Sequence, residues 1–158
     1  MDIPKGTQAI EYVGERLKND DAEQRGIDLA DETDRTGDAS VFNFVLDDKH
    51  MLDGNQDYNL ARFINHSCEP NCYVDVIKKR IWIIALRDIA EDEELTYDYG
   101  FEVEHWKEHA CRCGSDSCVG YIVSQEQWPA LKKLVKKEAK KMTKKKRIKR
   151  SKSQKKRK

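Results

Sequence analysis

Arg62-Phe63-Ile64-Asn65-His66-Ser67-Cys68-Glu69-Pro70-Asn71-Cys72 gathers a cation, a histidine, two asparagines and two thiols into eleven residues, and it reads as a site. Pro70, between Glu69 and Asn71, forbids helix continuation and favours a turn. The polar groups therefore sit on irregular backbone, where amides and carbonyls can meet a ligand. Two further stretches follow in order: Glu94-Leu95-Thr96-Tyr97-Asp98-Tyr99-Gly100-Phe101, then Cys111-Arg112-Cys113-Gly114-Ser115-Asp116-Ser117-Cys118.

The third stretch places three thiols within eight residues, too close for mutual disulfides without strain and well suited to one ion. A structural zinc takes four tetrahedral ligands, and Cys68 or Cys72 is the source of the fourth. Such a metal would tie a loop that has no hydrophobic core of its own back to the central stretch. Unligated or redox-active thiols are the alternative. Five cysteines, an odd number, in a sequence whose N-terminus shows no signal-peptide pattern favour reduced thiols over a disulfide framework. With no apolar run long enough to cross a bilayer, the expected location is intracellular, with no membrane partner.

At 158 residues the chain is one domain's worth, and its net charge of +1 hides a strong asymmetry. Residues 131–158 hold 17 Lys and Arg against Glu138 alone, giving +16 and leaving −15 on the preceding 130 residues. From about Lys140 the tail has almost nothing to bury and is expected to be disordered. Either it is a solubilising tail or it neutralises phosphates in non-specific nucleic-acid contact. The acidic remainder attracts cationic partners such as lysine-rich polypeptides.

Along the chain, Thr7 to Val13 predicts a strand after the turn Pro4-Lys5-Gly6, and Asn19-Asp20-Asp21 offers caps for a short helix over Ala22 to Leu29. Asp31 to Ser40 reads as a surface loop. Val41 to Leu46 alternates as a half-buried strand, pairing with Lys49 to Leu52 across Asp47-Asp48. Asp57 is placed to cap one helical turn that delivers the chain into Asn65-His66. Tyr73 to Ile77 and Arg80 to Leu86 form a hairpin about Lys78-Lys79, the second strand central because it is apolar on both faces. Asp88 to Tyr99 faintly repeats the plan of Asp2 to Tyr12: Asp-Ile, a short turn, a strand ending in Tyr. Glu102 to Tyr121 is loop-like, and Ser124 caps a helix with Leu131, Leu134, Val135 and Met142 on one stripe. Many short strands with little helix predict a mainly β domain of small sheets.

His66, beside an asparagine that can fix its orientation, suits a structural role better than that of a base. Tyr97 and Tyr99 fall on one face of a strand with Asp98 opposite, and core packing with hydroxyls on backbone remains an open reading for them.

RFINHSCEPNC, ELTYDYGF and CRCGSDSCVGY in this order, preceded by IPKGTQAIEYVGE, resemble the SET-domain protein-lysine methyltransferases with their zinc loop, called post-SET. The resemblance runs from about Ile3 to Tyr121, and DGNQDYNLARFINHSC with CVGYIV looks more like bacterial members. It implies a SET domain over 1–101 and a post-SET zinc loop over 102–123, and the residues beyond read as a helix over 124–142 and a disordered Lys/Arg-rich tail over 143–158. It further implies a pseudoknot in which Asn65-His66 threads beneath ELTYDY, with S-adenosylmethionine (AdoMet) on one face and the substrate lysine entering a channel from the other.

By motif, Asn65 and His66 would hold the cofactor, with Arg62 and Phe63 shaping its pocket. Tyr99 would be the catalytic tyrosine, Tyr12 would line the lysine channel, and Tyr97 would limit the product to mono- or dimethyl-lysine. Cys68, Cys111, Cys113 and Cys118 would ligate zinc, leaving Cys72 free. The implied substrate is a histone or histone-like protein, in chromatin or a bacterial nucleoid. Family members carry a GxG segment just before the position of Ile3, and this sequence starts at Met1-Asp2. An upstream extension, a cofactor held by the remaining contacts, and a catalytically inactive zinc-stabilised module that binds nucleic acid or chromatin through its tail are the three readings of that difference.

Overall fold

The computed structural model describes residues 1–21, 24 and 42–155, with side chains as far as residue 144. The helix expected over Ala22 to Leu29 (Gln24 apart) and the loop over Asp31 to Ser40 lie outside the described residues. Strands in chain order are β1 (Gln8–Tyr12), β2 (Glu15–Lys18), β3 (Asn43–Asp47), β4 (His50–Asp53), β5 (Asn65–His66), β6 (Cys72–Ile77), β7 (Arg80–Ala85) and β8 (Thr96–Tyr97), followed by helix α1 (Trp128–Lys155). The chain divides into two units, Met1–Tyr97 and Asp98–Lys158. The division falls inside ELTYDYGF rather than after it at residue 101.

In the first unit, β7 is buried along both faces and accordingly has a neighbour on each edge, in the antiparallel order β1-β7-β6. Ile81, Ile83, Ile84 and Ala85 supply much of its core. Lys78 and Lys79 both adopt positive φ, 52° and 62°, the type I′ geometry that matches the twist of the hairpin's strands. A second antiparallel sheet has the order β2-β4-β3, and the third is the parallel pair β5-β8.

The two Asp-Ile segments pair with each other. Ile3 and Ile89 exchange both backbone hydrogen bonds, at 2.8 and 2.9 Å. Asp88 accepts from the Lys5 amide at 2.8 Å, and Asp2 accepts from the Glu91 amide at 3.0 Å, so each aspartate holds the backbone three residues beyond the other.

Three expectations are corrected in detail. The turn before Asn65 is a 3-10 turn over Leu60–Phe63 whose cap residue is Asn59, and Asp57 instead pairs with Arg62 at 3.2 Å. Ser124 makes no side-chain cap, being followed by a 3-10 turn, Gln125–Gln127, that leads into α1. That helix runs on to Lys155, past the expected end at residue 142 and through most of the tail expected to be disordered. Lys, Arg, Ala and Met are good helix formers, and no Gly or Pro follows Pro129. Of the expected stripe, Leu131 and Val135 pack inward, while Leu134 and Met142 are exposed.

The second unit has its own small core of Val103, Trp106, Val123 and Leu131, where the sequence led us to expect a loop without one. The signal was Val103 and Trp106, spaced for one helical turn and delivered by the 3-10 turn Val103–His105. Trp106 meets Tyr121 edge-on at 4.6 Å, and the Trp128 indole donates to the Val123 carbonyl at 3.1 Å. No helix among the described residues is long and apolar enough to cross a membrane.

Gly54 sits tightly against Tyr12. Its amide and the Tyr12 hydroxyl both donate to the Phe42 carbonyl at 2.9 Å, and a Cβ on Gly54 would lie 2.3 Å from the Tyr12 hydroxyl oxygen. Gly54→Ala is therefore expected to destabilise the fold by about 1–3 kcal/mol through overpacking. Urea unfolding that matched wild type would show that Tyr12 moves aside freely.

Candidate functional site

The central stretch is brought to a crossing of two segments distant in sequence. Asn65 pairs with Thr96 and His66 with Tyr97 in parallel register, and the Ser67 amide continues the ladder to the Tyr97 carbonyl at 3.2 Å. A two-residue ladder cannot hold itself, and Asn71 supplies what it lacks. Its side-chain oxygen accepts from the Thr96 amide at 2.8 Å, while its amide nitrogen donates to the Glu94 carbonyl and to Glu93 Oε1, both at 2.9 Å. Asn71 is 2 % exposed and fully engaged, as a buried amide must be. Its position in the quoted stretch was noted, but not this role.

Asn65 is exposed and donates through Nδ2 to Glu94 Oε1 at 2.7 Å, which fixes the amide. His66 is buried, with Nε2 3.7 Å from Cys68 Sγ. A few residues before Asn65 in the chain, Tyr58, Leu60 and Phe63 are all about two-thirds exposed at 64 %, 67 % and 65 %. Arg62 stacks its guanidinium over the Phe63 ring at 4.8 Å.

An aromatic row leads inward from this crossing. Tyr12 and Phe44 have ring centroids 4.5 Å apart, and Phe44 and Tyr97 5.9 Å. Tyr12 and Tyr97 are buried at 2 % and 5 % exposure. Phe44 was legible as a strand residue but not as the link between these two tyrosines. Asn59 was missed altogether. Fully buried, it donates to the Gly54 carbonyl at 2.9 Å and accepts from the Val13 amide at 3.4 Å, tying the Gly54 turn to the end of β1.

Tyr99 does not share a strand with Tyr97, because β8 ends at Tyr97 and Tyr99 belongs to the second unit. Asp98 turns the chain there: its carboxylate accepts from the Gly100 amide at 3.1 Å and from the Gln125 amide at 2.9 Å. Tyr99 is half-buried against Phe101, centroids 5.8 Å apart, and Phe101 packs in turn on His109 at 4.6 Å.

In the second unit Cys111, Cys113 and Cys118 bring their sulfurs within 4.8 Å of one another. The Ala110–Tyr121 bridge closes the loop, and the Cys111 amide donates to the Gly120 carbonyl at 3.0 Å. Gly120, at φ 82°, then aims its own amide at Cys118 Sγ, 3.4 Å away. A thiol cluster with a backbone donor to sulfur has the chemistry of a soft-metal site, and it fits zinc. Cys72 is fully buried at the start of β6, and burial pushes its thiol pKa up, which keeps it protonated.

Glu93 holds the crossing from its far side. The Arg87 guanidinium first, and then the Asn71 amide, hold its carboxyl at about 2. A carboxyl whose folded pKa lies below its unfolded value of about 4.3 contributes stability present above that value and lost as pH falls towards the folded pKa. Wild type and Glu93→Gln should therefore differ most in thermal stability above about pH 5 and converge as pH drops towards about 2. Parallel pH curves for the two proteins would mean that the Arg87–Glu93–Asn71 contact adds nothing to the fold.

Against known proteins, the SET domain family model matches residues 1–100. The similar curated proteins include several named "Histone-lysine N-methyltransferase, H3 lysine-4 specific". The Chaetomium globosum protein is 44% identical over 126 residues, 76% of this chain. The Candida albicans protein is 45% identical over 119 residues and the Saccharomyces cerevisiae protein 44% over 119, each covering 72% of this chain. The chain spans 11% of the length of each of these relatives. With the family model covering most of its length, and with the quoted motifs meeting at the β5–β8 crossing, this chain belongs to the SET domain family.

Proposed function

We propose that this protein is an AdoMet-dependent protein-lysine N-methyltransferase that acts on a basic protein, with histone H3 the substrate class suggested by its relatives' names. The observation that carries the reading is the crossing that sets Asn65 and His66 beside Thr96 and Tyr97, with the Tyr12–Phe44–Tyr97 row behind it. A histone substrate places the activity at chromatin, and the −15 charge of residues 1–130 favours a lysine-rich partner.

AdoMet, when bound, supplies a methyl group on a sulfonium, activated for in-line displacement by an amine. The residues that would hold it are Asn65 and His66, with Arg62 and Phe63 beside them. The protein's part is to align donor and acceptor, exclude water and favour a neutral lysine. Tyr12 and Tyr97 wall a dry, aromatic lysine channel, Tyr97's hydroxyl leaving less room for further methyl groups. Tyr99 is the proposed catalytic tyrosine, whose hydroxyl would act as a fixed dipole.

Zinc is proposed on Cys111, Cys113 and Cys118 with Cys68 as the fourth ligand. The donor count of a closed structural site supports it.

With zinc and AdoMet present, wild type should add one or two methyl groups to an H3 amino-terminal peptide, read by intact mass. Tyr99→Phe should slow transfer about 100-fold or more while AdoMet binding persists in calorimetry, and Tyr97→Phe should raise the methylation state. Dominant trimethylation by wild type would refute the role of Tyr97, and an unaltered rate in Tyr99→Phe the role of Tyr99. Wild type that binds AdoMet but methylates neither this peptide nor any histone would refute the enzymatic reading.

Elemental analysis should find one zinc per chain, lost in Cys118→Ser and retained in Cys72→Ser. Loss in Cys72→Ser would reassign the fourth ligand.

A further inference from the structure

Helix α1 carries its lysines in doublets repeated every four residues: Lys132-Lys133, Lys136-Lys137, Lys140-Lys141 and Lys144-Lys145. The fold uses the residues between them. Leu131 is buried and Val135 packs on the cluster formed by Val103, Trp106 and Val123. Glu138, the only acid from Trp128 to Lys158, is taken by Lys107 at 3.1 Å and lies 3.9 Å from Lys141. At about 100° per residue these positions share one side of the helix, while the lysines from Lys132 to Lys144 fill the opposite half and are all exposed.

Spacing and repulsion distinguish this face from an ordinary solvated one. Four residues advance about 6 Å along the axis, so the doublets present about one positive charge per 3 Å. Each strand of duplex DNA presents one phosphate per about 3.4 Å. Because four residues overshoot a helical turn by about 40°, the stripe also winds slowly instead of running straight. Every lysine from Lys132 to Lys141 meets a like charge at i+4, an arrangement that opposes the helix until counter-charge neutralises it. Among Lys132 to Lys144 there is no Arg, Asn or Gln to read base edges.

We propose that the exposed face of α1 from Lys132 to Lys144 is a docking surface for the phosphate backbone of duplex nucleic acid, bound without sequence preference. This places the contact on an ordered helix anchored by Leu131 and Val135, upstream of the tail. It does not depend on methyl transfer.

The test is a fluorescence-anisotropy titration of the full chain with an arbitrary 20-base-pair DNA duplex, at salt concentrations from about 50 to 200 mM. It compares wild type with a variant carrying Gln at Lys132, Lys133, Lys136, Lys137, Lys140 and Lys141. Gln is a comparable helix former, so circular dichroism should be unchanged. Wild type should bind with an affinity that falls as about the fifth power of salt or more steeply. The variant should bind at least about 30-fold more weakly with a shallower salt slope, while peptide methylation stays at the wild-type rate. A variant that binds DNA as wild type does, or a wild type with no binding at 50 mM salt, would overturn the proposal. Tighter binding of wild type to phosphatidylserine vesicles than to the duplex would overturn it in favour of a lipid surface.

Discussion

The Asn71 side chain is the contact on which the candidate site depends. Residues 65–66 and 96–97 meet in a ladder too short to survive alone, and a chain closure of some thirty residues must be offset before it forms. Asn71 reaches across with donor and acceptor at once, fixing the Thr96 amide, the Glu94 carbonyl and the Glu93 carboxylate. Glu94, held in place by its own backbone, then orients Asn65. Order therefore flows from a buried amide to an exposed one.

The same segment is anchored from behind by the paired Asp-Ile turns. Two short sequences with the same plan, nearly ninety residues apart, cap one another through reciprocal aspartate contacts at Lys5 and Glu91. The resemblance between them that is visible in sequence is thus a requirement of their pairing: each needs an acceptor side chain followed by a β-former and a turn. Internal duplication is not needed to explain it.

What was legible in the sequence was whatever rests on periodicity or on a dense motif. The β6–β7 hairpin follows from two apolar runs about Lys78-Lys79, and the central place of β7 from its having no polar face. The buried polar residues were not legible, because Asn59 and Asn71 look like any other turn asparagines until their partners, distant in sequence, are known. The separation of Tyr97 from Tyr99 was hidden for a related reason: alternation carried the strand onward, while Asp98 uses its carboxylate to cap the Gly100 turn and ends it. Helix α1 was underestimated because a lysine-rich composition satisfies two rules at once, high helix propensity and too little apolar surface to pack. Leu131 and Val135, near its start, decide between them by anchoring the helix, which then propagates at little cost per residue.

That anchoring bears on the thiols as well. The core of Val103, Trp106, Val123 and Leu131 sits at one end of a stretch that is otherwise turns and isolated bridges. Burial of four side chains cannot order a loop of that length against its conformational entropy. The loop from Ala110 to Tyr121 nevertheless holds three sulfurs together, with one of them receiving a backbone amide. A metal bound among these sulfurs would neutralise them as thiolates and order the loop. The apolar core fixes α1, and the thiol cluster would then fix the segment that precedes it.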